Sequence, residues 1–141
     1  MHATPKPDFR LGRDRVLRRR ADFHAIKQGG RRLRTTTLTL NWVIDWPSGP
    51  MTAFVIPKAV GNSVTRNRVR RRLREIYRHL LPEMATTSAT VWIASRQAAT
   101  ATFADLAHDL LHLARKAKLI RPGHTFPEPT RSRWKLPPSK S

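Results

Sequence analysis

Two sets of residues in this chain have types and spacings that bear on chemistry. The first would serve catalysis. A metal-dependent hydrolase needs clustered carboxylates to hold its ions. The chain has 9 acids, Asp8, Asp14, Asp22, Asp45, Glu75, Glu83, Asp105, Asp109 and Glu128, and only Asp105 and Asp109 stand at helical spacing. That pair is better explained by the positive start of a helix and by neighbouring basic residues. His108 and His112 repeat at i,i+4, a spacing that can hold zinc. The residue after the first histidine is Asp109 rather than the glutamate of a zinc-protease helix, so a pair on a polar face is the simpler account. A metal-free nuclease would need histidines and a lysine around one phosphate. His24, His79 and Lys27 are candidates that nothing in the sequence brings together. With 0 cysteines there is no thiol nucleophile, thiolate zinc site or disulfide framework, which suits a reducing compartment. The expectation is a protein without catalytic groups of its own.

The second set would serve binding. Residues 66–80 read RNRVRRRLREIYRHL, with arginine in every Lys/Arg position and Glu75 as the one acid. At about 100° per residue, Leu73, Ile76 and Leu80 fall within roughly 40° of Val69, giving an apolar stripe. Asn67, Arg71, Arg74 and Arg78 lie opposite, with Arg66, Arg68, Arg70 and Arg72 on the flanks. A merely solvated face would mix charge signs, because like charges at i,i+4 repel. Arginine's planar fork donates to two phosphate oxygens at once and stacks on bases. The segment therefore predicts phosphate binding, with the choice between DNA and RNA left open by charge alone.

These residues need a scaffold, and the composition bounds it. A chain of 141 residues, 39% hydrophobic, supports one modest domain. Its net charge of +19 repels itself unless a polyanion is bound. No apolar run approaches the roughly 20 residues of a bilayer span, and residues 1–20 contain no signal-peptide stretch. The expectation is a cytoplasmic protein with no membrane partner. Residues 1–16 read as a basic, partly disordered arm. Residues 18–28 read as a helix closed by Gly29 and Gly30. Residues 35–44 alternate as a half-buried strand, with Leu38, Leu40, Trp42 and Ile44 on one face. A strand at 51–56 follows the Pro47–Pro50 turn, and the two predict a hairpin. Asn62 or Ser63 caps the arginine helix, which runs to about residue 81. A strand at 89–95 precedes a helix over 103–120, capped by Thr102, with Phe103, Leu106, Leu110, Leu113 and Ala117 as its stripe. Residues 121–141, with five prolines, read as a disordered basic tail. Residues 17–120 are thus one nucleic-acid-binding α+β domain, a sandwich of helices on a small mixed sheet.

The run Lys58-Ala59-Val60-Gly61-Asn62-Ser63-Val64-Thr65-Arg66-Asn67-Arg68, continuing through Arg70, Arg71, Arg72, Leu73, Arg74 and Glu75, closely resembles the signature of the bacterial ribonuclease P protein subunit. Asp22-Phe23 before a glycine turn is similar to that family's first helix. The resemblance covers roughly residues 17–120. It implies a two-layer α-β-β-β-α-β-α fold, like domain 2 of ribosomal protein S5, with a mixed four-stranded sheet and a left-handed βαβ crossover. Three strands are clear here; a short piece near 31–36, or a split of the long first strand, would be the fourth. It further implies an accessory subunit of an endoribonuclease whose catalytic groups, and the Mg2+ they use, reside mainly in ribonuclease P RNA. The substrate would be precursor tRNA, and DNA is not an expected partner. Carried over by position, Arg66, Asn67, Arg68, Arg70, Arg71, Arg72 and Arg74 would face the catalytic RNA. Phe23, Lys27, Asn41 and Lys58 would meet the single-stranded 5′ leader in a cleft. Lys27 replaces a second aromatic of many relatives, Pro57-Lys58-Ala59 replaces Ser-Lys-Lys, and Asn41 stands where a strand aromatic is common unless a one-residue slip puts Trp42 there. The alternatives are a general RNA-binding or ribosome-associated module that shares the basic helix, and a major-groove DNA reader, for which Asn67 alone is thin support.

Overall fold

The computed structural model describes residues 15–47, 49–84 and 87–120. The expected tail at 121–141, and all but the last two residues of the expected arm at 1–16, lie outside them. Seven main elements follow one another: α1 (Arg20–Gly29), β1 (Arg31–Arg34), β2 (Leu38–Ile44), β3 (Met51–Val55), α2 (Ser63–Leu80), β4 (Ser88–Ala94) and α3 (Phe103–Lys116). The fourth strand is the short Arg31–Arg34 piece immediately after α1.

The four strands form one sheet in the order β1-β2-β4-β3. β1 and β2 are antiparallel, β2 and β4 are antiparallel, and β3 and β4 are parallel neighbours joined through α2. The expected hairpin between β2 and β3 does not form, because β4 lies between them. β4 is the strand that least tolerates an edge. Its run SATVWIA is buried almost throughout, as a strand covered on both faces must be. The connection from Asp45 to Pro50 is long enough to step across the end of that one intervening strand, roughly 10 Å for two interstrand spacings.

The alternation expected in β2 is present. Leu38, Leu40 and Trp42 enter the main core with α2, α3, Phe54 and Trp92. Ile44 leaves that pattern and is 51% exposed at the strand end. The α2 stripe of Val69, Leu73, Ile76 and Leu80 is fully buried in the same core. Burying these four side chains contributes roughly 6–12 kcal/mol. Repulsion among the i,i+4 arginine pairs costs about 1–2 kcal/mol, so the stripe wins and the helix forms despite its charge.

The helices divide between the two faces. α2 and α3 cover one, and α1 alone lies on the other across β2 and β4. On that second face a smaller cluster gathers Leu17, Ile26, Ala53, Ala89 and Val91, with half-buried Phe23, Val43, Trp46, Val55 and Ile93 against it. Gly30 permits this docking, since a Cβ there would sit 2.3 Å from the Ile26 carbonyl oxygen and 2.7 Å from that of Trp42. α3 opens with a capping box between Thr102 and Asp105. It stops at Lys116, short of the expected residue 120, because Lys118 turns left-handed (φ 59). The Leu119 N–H then donates to the Ala114 carbonyl and the Lys118 N–H to that of Arg115, closing the helix end.

Candidate nucleic-acid interface

α2 is the element that builds the basic face. Gly61, at φ 155, turns the chain out of a short 3-10 turn at Lys58–Val60. Asn62 then caps the helix, its Oδ1 accepting the Thr65 N–H at 2.9 Å. This start sets the rotation of everything that follows. The apolar stripe faces the sheet, and the arginines are distributed around the remaining circumference.

They are not equivalent. Arg71 and Arg74 are exposed, as is Asn67. Arg70 is half-buried and donates to the Asn67 Oδ1 at 3.2 Å, which pins both side chains along one ridge. Arg66 donates through Nε to the Gly61 carbonyl at 3.1 Å, and Arg68 reaches the Ala99 carbonyl at 3.1 Å. Each guanidinium has five N–H donors, so both keep some for another acceptor. Arg72 is different. It is 5% exposed, and its guanidinium donates to the Ala101 carbonyl at 3.1 Å. The expectation that Arg72 faces an external RNA is therefore corrected. One helical turn beyond Arg68, it fastens the segment between β4 and α3 to α2. On the wheel it sat on the flank, and only the position of that neighbouring segment decided which flank was closed.

The one acid of the helix is also spent internally. Glu75 is paired with Arg78, whose Nε donates at 2.8 Å, and lies 3.4 Å from His79 Nε2. Arg78, opposite the stripe on the wheel, is thereby held against the protein. Burial lowers the pKa of His79 below its ordinary value, with Glu75 opposing. No carboxylate among the described residues pairs with Arg66, Arg68, Arg70, Arg71 or Arg74. What remains is a ridge of Asn67, Arg70, Arg71 and Arg74 with Arg66 and Arg68 beside it, positive and uncompensated.

The second face carries Phe23, Lys27 and Asn41, and Lys58 stands apart from them. Phe23 is half-buried against the α1-side cluster, and Lys27, one turn later, is exposed. Asn41 is half-buried on the same sheet face, opposite Val91 on β4. Trp42 points the other way, 5% exposed in the main core, so the one-residue slip does not occur and no strand aromatic stands at that place. Lys58 is exposed at the start of the 3-10 turn, between β3 and α2. Sequence reasoning missed the rest of this surface. Thr39, Ile93 and Val55 form a half-buried row across three strands, and Trp46 joins the α1-side cluster. Their alternation marked a face; only the strand order made a row of them.

The nuclease arrangement of His24, His79 and Lys27 drawn from the sequence is not assembled. His24 and Lys27 sit on α1 and His79 on α2, on opposite faces of the sheet. Asp105 is committed to its capping box, and Asp109 accepts the Thr37 hydroxyl at 2.5 Å. His108 and His112 are exposed on α3, and no group of three or more metal-ligating side chains occurs among the described residues.

Residues 11–118 match the model of the family described as Ribonuclease P. The chain belongs to this family. It is 35% identical over 122 residues to the ribonuclease P protein component of Chloroflexus aggregans, covering 86% of this chain and 90% of that one. It is also 35% identical over 104 residues to that of Alkaliphilus metalliredigens, covering 74% and 94%. Among solved structures, an RNase P protein from Staphylococcus aureus matches with a TM-score of 0.69 at 20% identity, over 76% of this chain and 98% of that one. One from Thermotoga maritima matches with a TM-score of 0.61 at 22% identity, over 72% and 96%. At those identities the structural likeness establishes the family fold, a mixed four-stranded sheet with three helices.

Proposed function

We propose that this chain is the protein component of a bacterial ribonuclease P. In this role it docks the α2 ridge on the RNA subunit and holds the 5′ leader of precursor tRNA on the α1-side face of the sheet. The observation that carries the reading is the ridge itself: a helix anchored by a buried stripe that presents Arg70, Arg71 and Arg74 with no carboxylate among the described residues to neutralise them. Phosphate is the acceptor such forks suit, and a folded RNA offers it in quantity. On the other face, Phe23 supplies a ring on which an unpaired base can stack without regard to sequence, Lys27 supplies charge for its backbone, and Lys58 adds charge from the turn between β3 and α2.

Hydrolysis in this reading belongs to the RNA. Among the described residues the carboxylates are dispersed, and no three metal-ligating side chains come together there to hold Mg2+. The ion would be held mainly by the RNA component. No helix among the described residues is long and apolar enough to cross a membrane.

The test is reconstitution. The full chain is mixed with a bacterial ribonuclease P RNA and precursor tRNA at low magnesium, and release of the leader is followed. Cleavage that requires both protein and RNA is the expected result. Cleavage by protein alone would move catalysis into the chain. RNA binding without any stimulation of cleavage would make it a general RNA-binding module.

A further inference from the structure

β1 places a second, separate set of arginines at the far edge of the sheet. Arg31, Arg32 and Arg34 are all exposed in this four-residue strand, and Leu33 alone turns inward. The register decides where they stand. Arg32 is opposite Asn41 and Arg34 opposite Thr39, so both rise from the face that carries α1. Thr39 pairs with Ile93, and Ile93 with Val55. One continuous row, Val55–Ile93–Thr39–Arg34, therefore crosses the whole sheet from β3 to β1. Its first three members are half-buried, and the last is a free-standing cation. Neither Arg32 nor Arg34 is paired with a carboxylate among the described residues.

The two ends of this row differ in what lies beside them. α2 leaves from the β3 end, through Lys58, and packs against β3. An RNA docked on the α2 ridge is thus on the β3 side, and a strand entering the row there leaves over β1. We propose that Arg32 and Arg34 form a phosphate-binding strip for the leader nucleotides farthest from the cleavage site. This rests on the leader reading given above. The crossing spans three interstrand spacings, about 14 Å. At about 3.4 Å per stacked nucleotide that is about four nucleotides. Leaders of two or three nucleotides end on the apolar floor, and leaders of about ten reach the strip. Charge on an edge strand also blocks edge-to-edge association. That need is met by Arg31 and does not require two arginines on the α1 face.

The experiment compares the wild-type holoenzyme with one carrying Arg32→Gln and Arg34→Gln, using precursor tRNAs with leaders of about two and about ten nucleotides, and mature tRNA. Affinity is measured across a salt series, and circular dichroism checks the fold. Loss of two single-strand phosphate contacts lowers the slope of log affinity against log salt by about 1.4, which is about sevenfold in affinity between 50 and 200 mM salt. That change is expected for the long leader only, and Arg32→Lys with Arg34→Lys should keep most of the slope. An equal loss with the short leader and mature tRNA would place the arginines on another part of the complex and overturn the proposal. No loss with any substrate would leave them as edge protection and also overturn it. Should the wild type bind long and short leaders and mature tRNA alike, it is the leader reading itself that fails.

Discussion

Arg71 and Arg74 against Arg72 make a decisive comparison, because three arginines within one helical turn are assigned opposite roles. Arg71 and Arg74 are exposed and uncompensated, whereas Arg72 is 5% exposed and bound to the Ala101 carbonyl. In the proposed docking, replacing Arg71 and Arg74 by Ala removes two phosphate contacts. The slope of log affinity for the RNA subunit against log salt should flatten by about 1.4–1.8, or roughly 7–12-fold in affinity between 50 and 200 mM salt. Thermal stability should hold or rise slightly, since like-charge repulsion is relieved. Arg72→Ala should do the reverse. It strips a charge-assisted hydrogen bond from a part-buried carbonyl, a cost of about 1.5–3 kcal/mol, or a fall in Tm of about 10 °C for a domain of this size. At temperatures where the variant stays folded, its salt slope should match the wild type. Filter binding over a salt series, paired with calorimetric unfolding, reads both quantities. An unchanged slope in the double variant would mean those guanidinium groups do not meet phosphates. A flattened slope in Arg72→Ala would mean the buried position does not describe the bound protein.

Three further outcomes are expected. Phe23→Ala should weaken precursor tRNA binding by at least about fivefold, from the stacking of a single base, while mature tRNA is affected little; an equal effect on both would make Phe23 a packing residue only. Asn62→Ala removes the acceptor for the Thr65 N–H, and should lower unfolding free energy by about 1 kcal/mol; a change within experimental error would show that Ser63 or water replaces the cap. His79 has its pKa lowered by burial, so the unfolded chain binds the proton more readily. Stability should be level above the ordinary value of 6.5 and decline as pH falls below it. His79→Gln should flatten that decline between pH 7 and 5.5 in thermal melts, and an identical decline in the variant would assign it to other groups.

Much of the architecture was already present in local pattern. The arginine helix and its stripe, the Asn62 and Thr102 caps and the inward set of Leu38, Leu40 and Trp42 all follow from side-chain spacing and from groups within a few residues of each other. The positive charge of α2 was equally local, because a single acid, Glu75, stands among its arginines. Strand order was not local. β2 and β3 are adjacent in sequence but separated by β4, since pairing is decided by which strand most needs burial on both faces. The same long-range packing withdrew Arg72 from the surface. Spacing puts Arg68 and Arg72 on one flank of the helix, but only the backbone of residues 99–101, thirty positions away in the chain, supplies the carbonyls that take them. The row from Val55 to Arg34 likewise exists only through three registers between strands, because hydrogen bonding between strands, and not sequence distance, sets which side chains become neighbours.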